Sequence, residues 1–302
     1  MKRILVSASC LCIFLILIIT GTSVAEITVF KTADVTAYNQ AITGFKGVVI
    51  EKEITEVNME GEIELGNWII KSIKSKEPAA VLAVGDKAAE LSSKEINNIP
   101  IVFCMVIDPE KHGIVGENVT GVSMEVPPKT QFSTLKSIMP RLKSIGVIYD
   151  PNKTARIIDE GEKAAQDLGL ELIAREVASR GEIAKALEEL IQRVGALWLV
   201  PDTTVVTRES FKYILSGTIK KEIPLLAFSD GFVKSGALLS LSPNYLSVGE
   251  EAGNIVNKIL IGASTKSLPM VHPDSSLSIN LDTANQLGIK IPEEIKQKAN
   301  IY

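Results

Sequence analysis

The stretch AVLAVGD at residues 80–86 recurs as ALWLVPD at residues 196–202, and this repeat decides the fold. Each copy is an apolar run that ends in glycine or proline followed by aspartate. A second pair, IPIVF at residues 99–103 and IPLLA at residues 223–227, follows in the same order. The shared order, apolar character and flanking Asp or Pro favour an internal duplication over a chance likeness between buried strands.

Strand and helix patterns alternate around both copies. Short apolar or β-branched runs predict strands, and apolar residues spaced three to four apart predict helices. We predict strands at residues 27–30, 48–54, 79–84, 101–105, 145–149, 170–177, 196–200 and 225–228. We predict helices at residues 38–45, 62–73, 87–91, 154–168, 183–194 and 209–220.

This alternation predicts an α/β fold of two Rossmann-like lobes, each with a parallel central sheet covered by helices on both faces. Ligands of such sheets bind beyond the carboxyl ends of the strands. If both lobes direct those ends at each other, the cleft between them is the binding site.

The composition agrees with a well-buried globular protein of two domains. The chain has 302 residues, of which 46% are hydrophobic and 23% charged, and this is too apolar for a disordered chain. Its formal net charge is −4. No basic block or stripe is present, so we expect no nucleic-acid partner.

The N-terminus predicts export. Lys2 and Arg3 precede an apolar run at residues 4–19, and small residues lead to Ala25. This pattern is typical of a cleaved signal peptide over residues 1–25, and the alternative is an uncleaved membrane anchor. Cys10 and Cys12 lie inside the apolar run, a poor position for lipid modification. After cleavage only Cys104 remains, so the core, without an internal disulfide, must stabilise the protein.

A family resemblance extends over nearly the whole mature chain. The chain resembles the ABC-transporter substrate-binding family that includes tryptophan- and other aromatic amino-acid-binding members. The matching stretches are KTAD at 31–34, YNQA at 38–41, GF at 44–45, AVGDKAA at 83–89, VIDP at 106–109, GVIYDP at 146–151, VPDT at 200–203, AFSD at 227–230 and VKSGAL at 233–238, followed by Tyr245, Gly249 and Gly253.

The resemblance implies the type I periplasmic-binding-protein fold, in which three strands form a hinge between the lobes. It implies crossings near residues 123–128, 235–239 and 268–273. The N-terminal lobe would comprise residues 26–122 and 240–267, and the C-terminal lobe residues 123–239 and 268–302. Pro127–Pro128 and Ser235–Gly236 suit a hinge or ordinary loops equally well.

The chain departs from the family pattern at two strand ends. Family members often carry Thr or Ser where this chain has Asp86, and here the polar run after Val200 and Pro201 is Asp202, Thr203 and Thr204. Ligand selectivity would be set at these positions. They leave the ligand's identity open.

Four predicted ligand-binding residues follow strands of the first lobe. Asp34 would bind a ligand ammonium or cap the next helix, and Tyr38 lies in that helix. Gly85 has no side chain and would let a ligand approach the backbone. It precedes a predicted helix, whose first backbone amides attract a carboxylate. Asp86 would repel a carboxylate, contact an amine, or serve as a cap.

The remaining candidates lie mostly at strand ends of the second lobe. Asp108, in the first lobe, precedes proline and is either a ligand contact or a turn residue. Tyr149 would stack on a flat ligand or pack on the lobe surface. The polar candidates Asp202 and Thr203 follow one strand and are ligand contacts or caps.

Two further strand or helix ends complete the predicted site. Ser229 and Asp230 follow the strand that ends at Phe228, where Asp230 also fits a turn before Gly231. Tyr245 comes soon after the second crossing and would face the cleft or start a helix.

The sequence does not indicate an enzyme, a metal site or a cofactor. His112 and His272 are far apart and sit in loop-like sequence, which gives neither metal-ligand spacing nor a triad. No phosphate-binding Gly-rich Lys-Ser/Thr motif or serine elbow is present. Cys104 lies in a predicted buried strand.

We therefore predict an extracytoplasmic, monomeric solute-binding protein that delivers a small molecule to an ABC permease and its ATPase. By resemblance, the ligand would be an aromatic or branched amino acid, with a purine or nucleoside as the second choice. The alternatives are a binding protein that reports to a membrane receptor and, less well supported, an exported hydrolytic enzyme.

Overall fold

A computed structural model describes residues 26–50 and 53–302. In the described part of the chain, no helix combines the length and apolarity needed to span a membrane. The predicted signal peptide lies outside the described residues.

The first lobe is built on a five-stranded sheet of order β2-β1-β3-β4-β5, with every strand pair parallel. Its elements are β1 (Glu26–Lys31), α1 (Thr36–Val48), β2 (Glu53–Asn58), α2 (Ile63–Lys76), β3 (Ala80–Val84), α3 (Asp86–Glu95), β4 (Ile101–Val106) and β5 (Val119–Ser123). The predicted strand at 48–54 is displaced, because Val48 still belongs to α1 and β2 begins at Glu53.

The second lobe is built on a seven-stranded sheet of order β12-β11-β10-β9-β8-β6-β7. Its helices and strands begin with α4 (Pro128–Ile138), β6 (Ser144–Tyr149), α5 (Pro151–Asp167), β7 (Glu171–Glu176), α6 (Ile183–Leu190), β8 (Ala196–Trp198), α7 (Arg208–Lys220), β9 (Leu225–Ala227) and α8 (Asp230–Lys234). They end with β10 (Leu239–Pro243), β11 (Ser275–Ile279), α10 (Leu281–Gln286), α11 (Glu293–Lys296) and β12 (Ala299–Ile301). Only the β10–β11 pair is antiparallel.

Alternation along the strands gives each sheet two apolar faces. In the first lobe, Val29 and Leu82 face the cluster that includes residues of α1, whereas Phe30 and Val81 face the cluster of α2 and α3. Side chains of successive strand residues point to opposite faces, so the strands have to be apolar throughout, as the sequence pattern indicates.

Helix α9 (Tyr245–Leu260) returns to the first lobe and packs on α1. The approach is so close that a Cβ atom at Gly249 would overlap the carbonyl oxygen of Ala41. Only glycine leaves room for the backbones to meet there.

The chain passes between the lobes at residues 124–127, at Asn244 and at residues 272–274. The passages are bonded to one another: Ser123 N–H donates to the Val271 carbonyl (2.8 Å) and Asn244 N–H to the Asp274 carbonyl (2.9 Å). The second passage differs from the predicted crossing at 235–239, because β10 pairs with β9 and β11 in the second sheet. Residues 240–243 therefore lie in the second lobe.

Candidate functional site

The carboxyl edges of both sheets border the same gap. β5 runs parallel to its sheet and ends at Ser123, directly before the first passage. β10 runs parallel to β9 and ends at Pro243, directly before Asn244. Since both strands leave their sheets at the passages, the loops after β1, β3 and β4 and those after β6, β8 and β9 lie beside the hinge.

The first lobe gathers Tyr38, Gly85 and Asp86 at this gap. Gly85 has a left-handed φ of +89°, and a Cβ atom there would lie 2.5 Å from the hydroxyl oxygen of Tyr38. Tyr38 is half-buried, and burial, followed by the negative charge of Asp86, raises the pKa of its phenol. Asp86 Oδ1 is fully buried and has no hydrogen-bond partner among the described residues.

Asp34 and Asp108 flank this group at neighbouring strand ends. Asp34 is exposed and accepts a hydrogen bond from Asn39 Nδ2 (2.7 Å), which, with the charge of Lys31, lowers its pKa. It is not the helix cap, since Val35 occupies that position. Asp108 has a φ of +52° and accepts a hydrogen bond from Lys111 N (3.4 Å), as a turn residue does.

The Asp202 side chain is bonded within the second lobe, which favours the structural alternative over a ligand contact. Asp202 is only 1% exposed. Oδ2 accepts hydrogen bonds from Asp150 N (2.8 Å) and the Thr154 hydroxyl (2.7 Å). Oδ1 accepts hydrogen bonds from the amides of Thr204 (2.8 Å) and Val205 (3.1 Å). Both oxygens are therefore occupied by protein donors, and no lone pair faces a ligand.

Asp150 extends this network, and the sequence analysis did not single it out. It caps α5 by accepting a hydrogen bond from Asn152 N (2.9 Å), and the Thr204 hydroxyl donates to its other oxygen (2.7 Å). The Thr204 hydrogen bond, followed by that from Asn152 N, lowers the pKa of Asp150. The signal in the sequence is Asp followed by Pro at the first helical position.

Tyr149 also differs from its predicted stacking role. Its ring packs in the core cluster of the second lobe, and its hydroxyl donates to Glu176 Oε1 (2.9 Å) on the neighbouring strand. Burial, followed by this hydrogen bond, raises the pKa of Tyr149 to about 12. The side chain joins two strands of the second sheet.

Asp230, which the sequence offers as a ligand contact or a turn residue, is paired within its own lobe. Lys234 Nζ donates to Asp230 Oδ2 (2.8 Å), and the Tyr302 hydroxyl lies 3.4 Å from the same oxygen. The hydrogen bond from Lys234 lowers the pKa of Asp230.

The other predicted residues occupy the edges of the gap. Ser229 is the half-buried residue before α8, and its side chain makes no cap hydrogen bond. Thr203 is exposed beside the Asp202 network. Tyr245 is the first residue of α9 and is 37% exposed, at the second passage.

Two apolar residues that the sequence analysis did not single out follow strands at these edges. Ile107, after β4, is 59% exposed. Phe228, after β9, packs edge-on against Phe232 with ring centroids 4.9 Å apart, and Phe232 in turn contacts Phe211. The available signal was the position of Ile107 and Phe228 directly after strands.

The two edges are not bonded across the gap. Within residues 26–50 and 53–302, no hydrogen bond or ion pair joins the loops after β1, β3 and β4 to the loops after β6, β8 and β9. The same residues hold no group of three or more His, Cys, Asp or Glu placed to bind a metal. The gap offers carboxylate, hydroxyl and apolar groups to a small molecule.

Comparison with known sequences identifies similar proteins. The model of the family described as ABC transporter substrate binding protein matches residues 21–301. A tyrosine-binding protein from Clostridioides difficile is 25% identical over 242 residues, which is 77% of this chain and 70% of that protein. An uncharacterized protein from Rickettsia prowazekii is 25% identical over 253 residues, 82% of this chain and 79% of its own.

Solved structures share the fold. The ligand-free, open structure of a substrate binding protein with adhesive properties from Clostridium difficile has a TM-score of 0.76 at 22% identity, covering 92% of this chain and 99% of that one. An ABC domain in complex with L-Trp from Streptococcus pneumonia has a TM-score of 0.59 at 23% identity, covering 93% and 100%. The two-lobed α/β architecture is therefore that of the type I periplasmic binding proteins.

Proposed function

This chain belongs to the ABC transporter substrate-binding protein family, and we propose that it captures an amino acid between its lobes and delivers it to an ABC permease. The observation that carries the proposal is the pair of carboxyl edges on one gap, joined by three hinge passages. A ligand that contacts both edges stabilises the closed form because it binds that form better than the open one. The closed form then docks on the permease.

The proposed ligand is an aromatic amino acid, with a branched one as the alternative. Two similar proteins support this choice, the tyrosine-binding protein and the domain in complex with L-Trp. The exposed Ile107 and the Phe228–Phe232 pair supply apolar surface for a ring. Apolar contact of this kind, with a few placed polar groups, is the usual composition of a small-molecule site.

The proposed role is binding without catalysis, outside the cytoplasm. Export by a cleaved signal over residues 1–25 would place a monomeric chain where it meets the ligand and the permease. ATP hydrolysis would reside in a separate subunit. The family assignment supports binding without catalysis and a location outside the cytoplasm.

A thermal-unfolding screen of the purified chain tests the proposal. Amino acids, nucleosides and sugars are added singly, and a true ligand at 100-fold its dissociation constant should add about 2.7 kcal/mol to the free energy of unfolding. Aromatic amino acids should give the largest shifts. A shift from sugars or nucleosides alone would contradict the amino-acid assignment. Uptake of the labelled ligand should fall in cells that lack the chain.

A further inference from the structure

Asp86 differs from every other carboxylate named at the two edges. Asp34, Asp108, Asp150, Asp202 and Asp230 each accept at least one hydrogen bond within their own lobe. Asp86 accepts none from the described residues, although its Oδ1 atom is fully buried. A buried carboxylate oxygen without a donor is costly and calls for an explanation.

The surrounding groups do not provide that donor. The first-turn amide of Ala88 is already bonded to the Thr32 hydroxyl (3.0 Å), so Asp86 is not the cap of α3. The neighbouring Lys87 directs its ammonium to the Gly61 carbonyl (2.7 Å). No Lys, Arg or His in the described part of the chain lies within ion-pair distance of Asp86.

The phenol of Tyr38 stands beside the same point. Its oxygen lies against Gly85, and it has no hydrogen-bond partner among the described residues. An ammonium group placed there would lie near the phenol oxygen and near the negative charge of Asp86, which already acts on Tyr38. Hydrogen bonds from an ammonium to an ionised acceptor are the strong ones.

Among the described residues, the edges provide no unpaired, half-buried cation for a carboxylate. Lys31 is bonded to Asp34 and Asn39, and Lys234 to Asp230. Lys111 and Lys153 are exposed to solvent. The buried or half-buried charges at the gap are thus carboxylates and paired cations, an arrangement that favours a positively charged ligand.

We propose that the primary ammonium group of the ligand binds Asp86 and Tyr38, and that the ligand's carboxylate is dispensable, so that aromatic primary amines are ligands as well as aromatic amino acids. This inference rests on the proposed function, because it describes the same site.

Calorimetric titration of the full chain with three probes tests it. L-tyrosine carries the amine and the carboxylate, tyramine only the amine, and N-acetyl-L-tyrosine only the carboxylate. We expect tyramine to bind within about 10-fold of L-tyrosine, and N-acetyl-L-tyrosine to bind at least about 30-fold more weakly, the range that a hydrogen bond to a charged group covers.

Asp86→Asn should weaken both amines at least about 30-fold. Glu90→Gln is the matched control, because Glu90 lies exposed on the same helix and loses the same charge. It should bind as the unmodified chain does. Thermal unfolding of both variants shows that the fold is retained.

The outcomes separate the two proposals. If L-tyrosine binds equally to the unmodified chain and to Asp86→Asn, the ammonium site is wrong and the proposed function stands. If L-tyrosine binds and tyramine does not, the carboxylate is required and the inference fails. If no probe binds, the aromatic ligand is wrong. A panel of other amines and of sugars then decides, since a sugar ligand or no ligand overturns the inference, and an amine lost in Asp86→Asn supports it.

Discussion

Asp86 and Asp202 occupy the same place in the repeat, yet the structure gives them opposite surroundings. Both follow a buried strand and a glycine or proline. Asp202 accepts four hydrogen bonds and is closed off from the gap. Asp86 accepts none from the described residues, and one of its oxygens is buried without a partner. Equivalent position in a duplicated fold therefore does not imply equivalent function.

The difference comes from which residue joins the loops in each lobe. In the second lobe Asp202 itself ties its loop to Asp150 and Thr154. In the first lobe the Thr32 hydroxyl performs this task, accepting from Ala88 N, and the Thr32 amide donates to the Val84 carbonyl (2.9 Å). Because the Thr32 hydroxyl makes this hydrogen bond, the Asp86 carboxylate is not needed to join the loops of the first lobe.

The largest expected effect is the loss of Asp202. Asp202→Ala removes the acceptor of three backbone amides and one hydroxyl, and should lower the free energy of unfolding by about 3 kcal/mol or more. Urea unfolding followed by circular dichroism measures it. If Asp202→Ala kept normal stability but bound the ligand weakly, Asp202 would be a ligand-binding residue and not a structural one.

Gly85→Ala should have the next largest effect. The residue would need a left-handed φ, and its methyl group would meet the Tyr38 hydroxyl. We expect a loss of about 2 kcal/mol in unfolding free energy. Repeating the substitution in a Tyr38→Ala background, which removes the ring that the new methyl group would meet, separates backbone strain at φ +89° and ψ 162° from the contact. Equal losses in the two backgrounds would mean that Tyr38 does not press on this site.

Tyr149→Phe should have a smaller effect on stability, and it tests whether Tyr149 has a structural role in the second lobe. It removes the hydroxyl that donates to Glu176 and keeps the ring, so stability should fall by about 1 kcal/mol. Ligand affinity should not change, because the ring lies in the core cluster. If calorimetry showed a large loss of ligand affinity while stability was retained, Tyr149 would be a ligand-binding residue.

The smallest expected effect on folding is that of Asp86→Asn. The unmodified carboxylate makes no hydrogen bond that the substitution removes, so the unfolding free energy should stay within about 0.5 kcal/mol or rise slightly. Chemical denaturation of the ligand-free chain measures this. A loss above about 2 kcal/mol would show that Asp86 stabilises the lobe as Asp202 does.

Sequence reasoning reached the architecture and only part of the site. Apolar runs of the right length predicted eight strands, which correspond to β1–β4 and β6–β9, because burial on both sheet faces requires such runs. The local pattern displaced β2 and did not predict β5, β10, β11 or β12, since strand pairing with distant segments is not visible in a local pattern. Sequence reasoning placed Tyr38, Gly85 and Asp86 at strand or helix ends, which the structure brings together.

Local patterns in the chain were enough to indicate the duplicated α/β order, the candidate strand ends and the lack of a basic nucleic-acid-binding block. Which carboxylates lack a hydrogen-bond partner became clear from the folded structure. The donors to Asp202 include Asp150 and Thr154, about 50 residues earlier in the chain. In the first lobe the corresponding hydrogen bond is made by Thr32, directly after β1. Hydrogen bonds between distant segments exist only once the chain has folded, and they separate a structural aspartate from one that can bind a ligand.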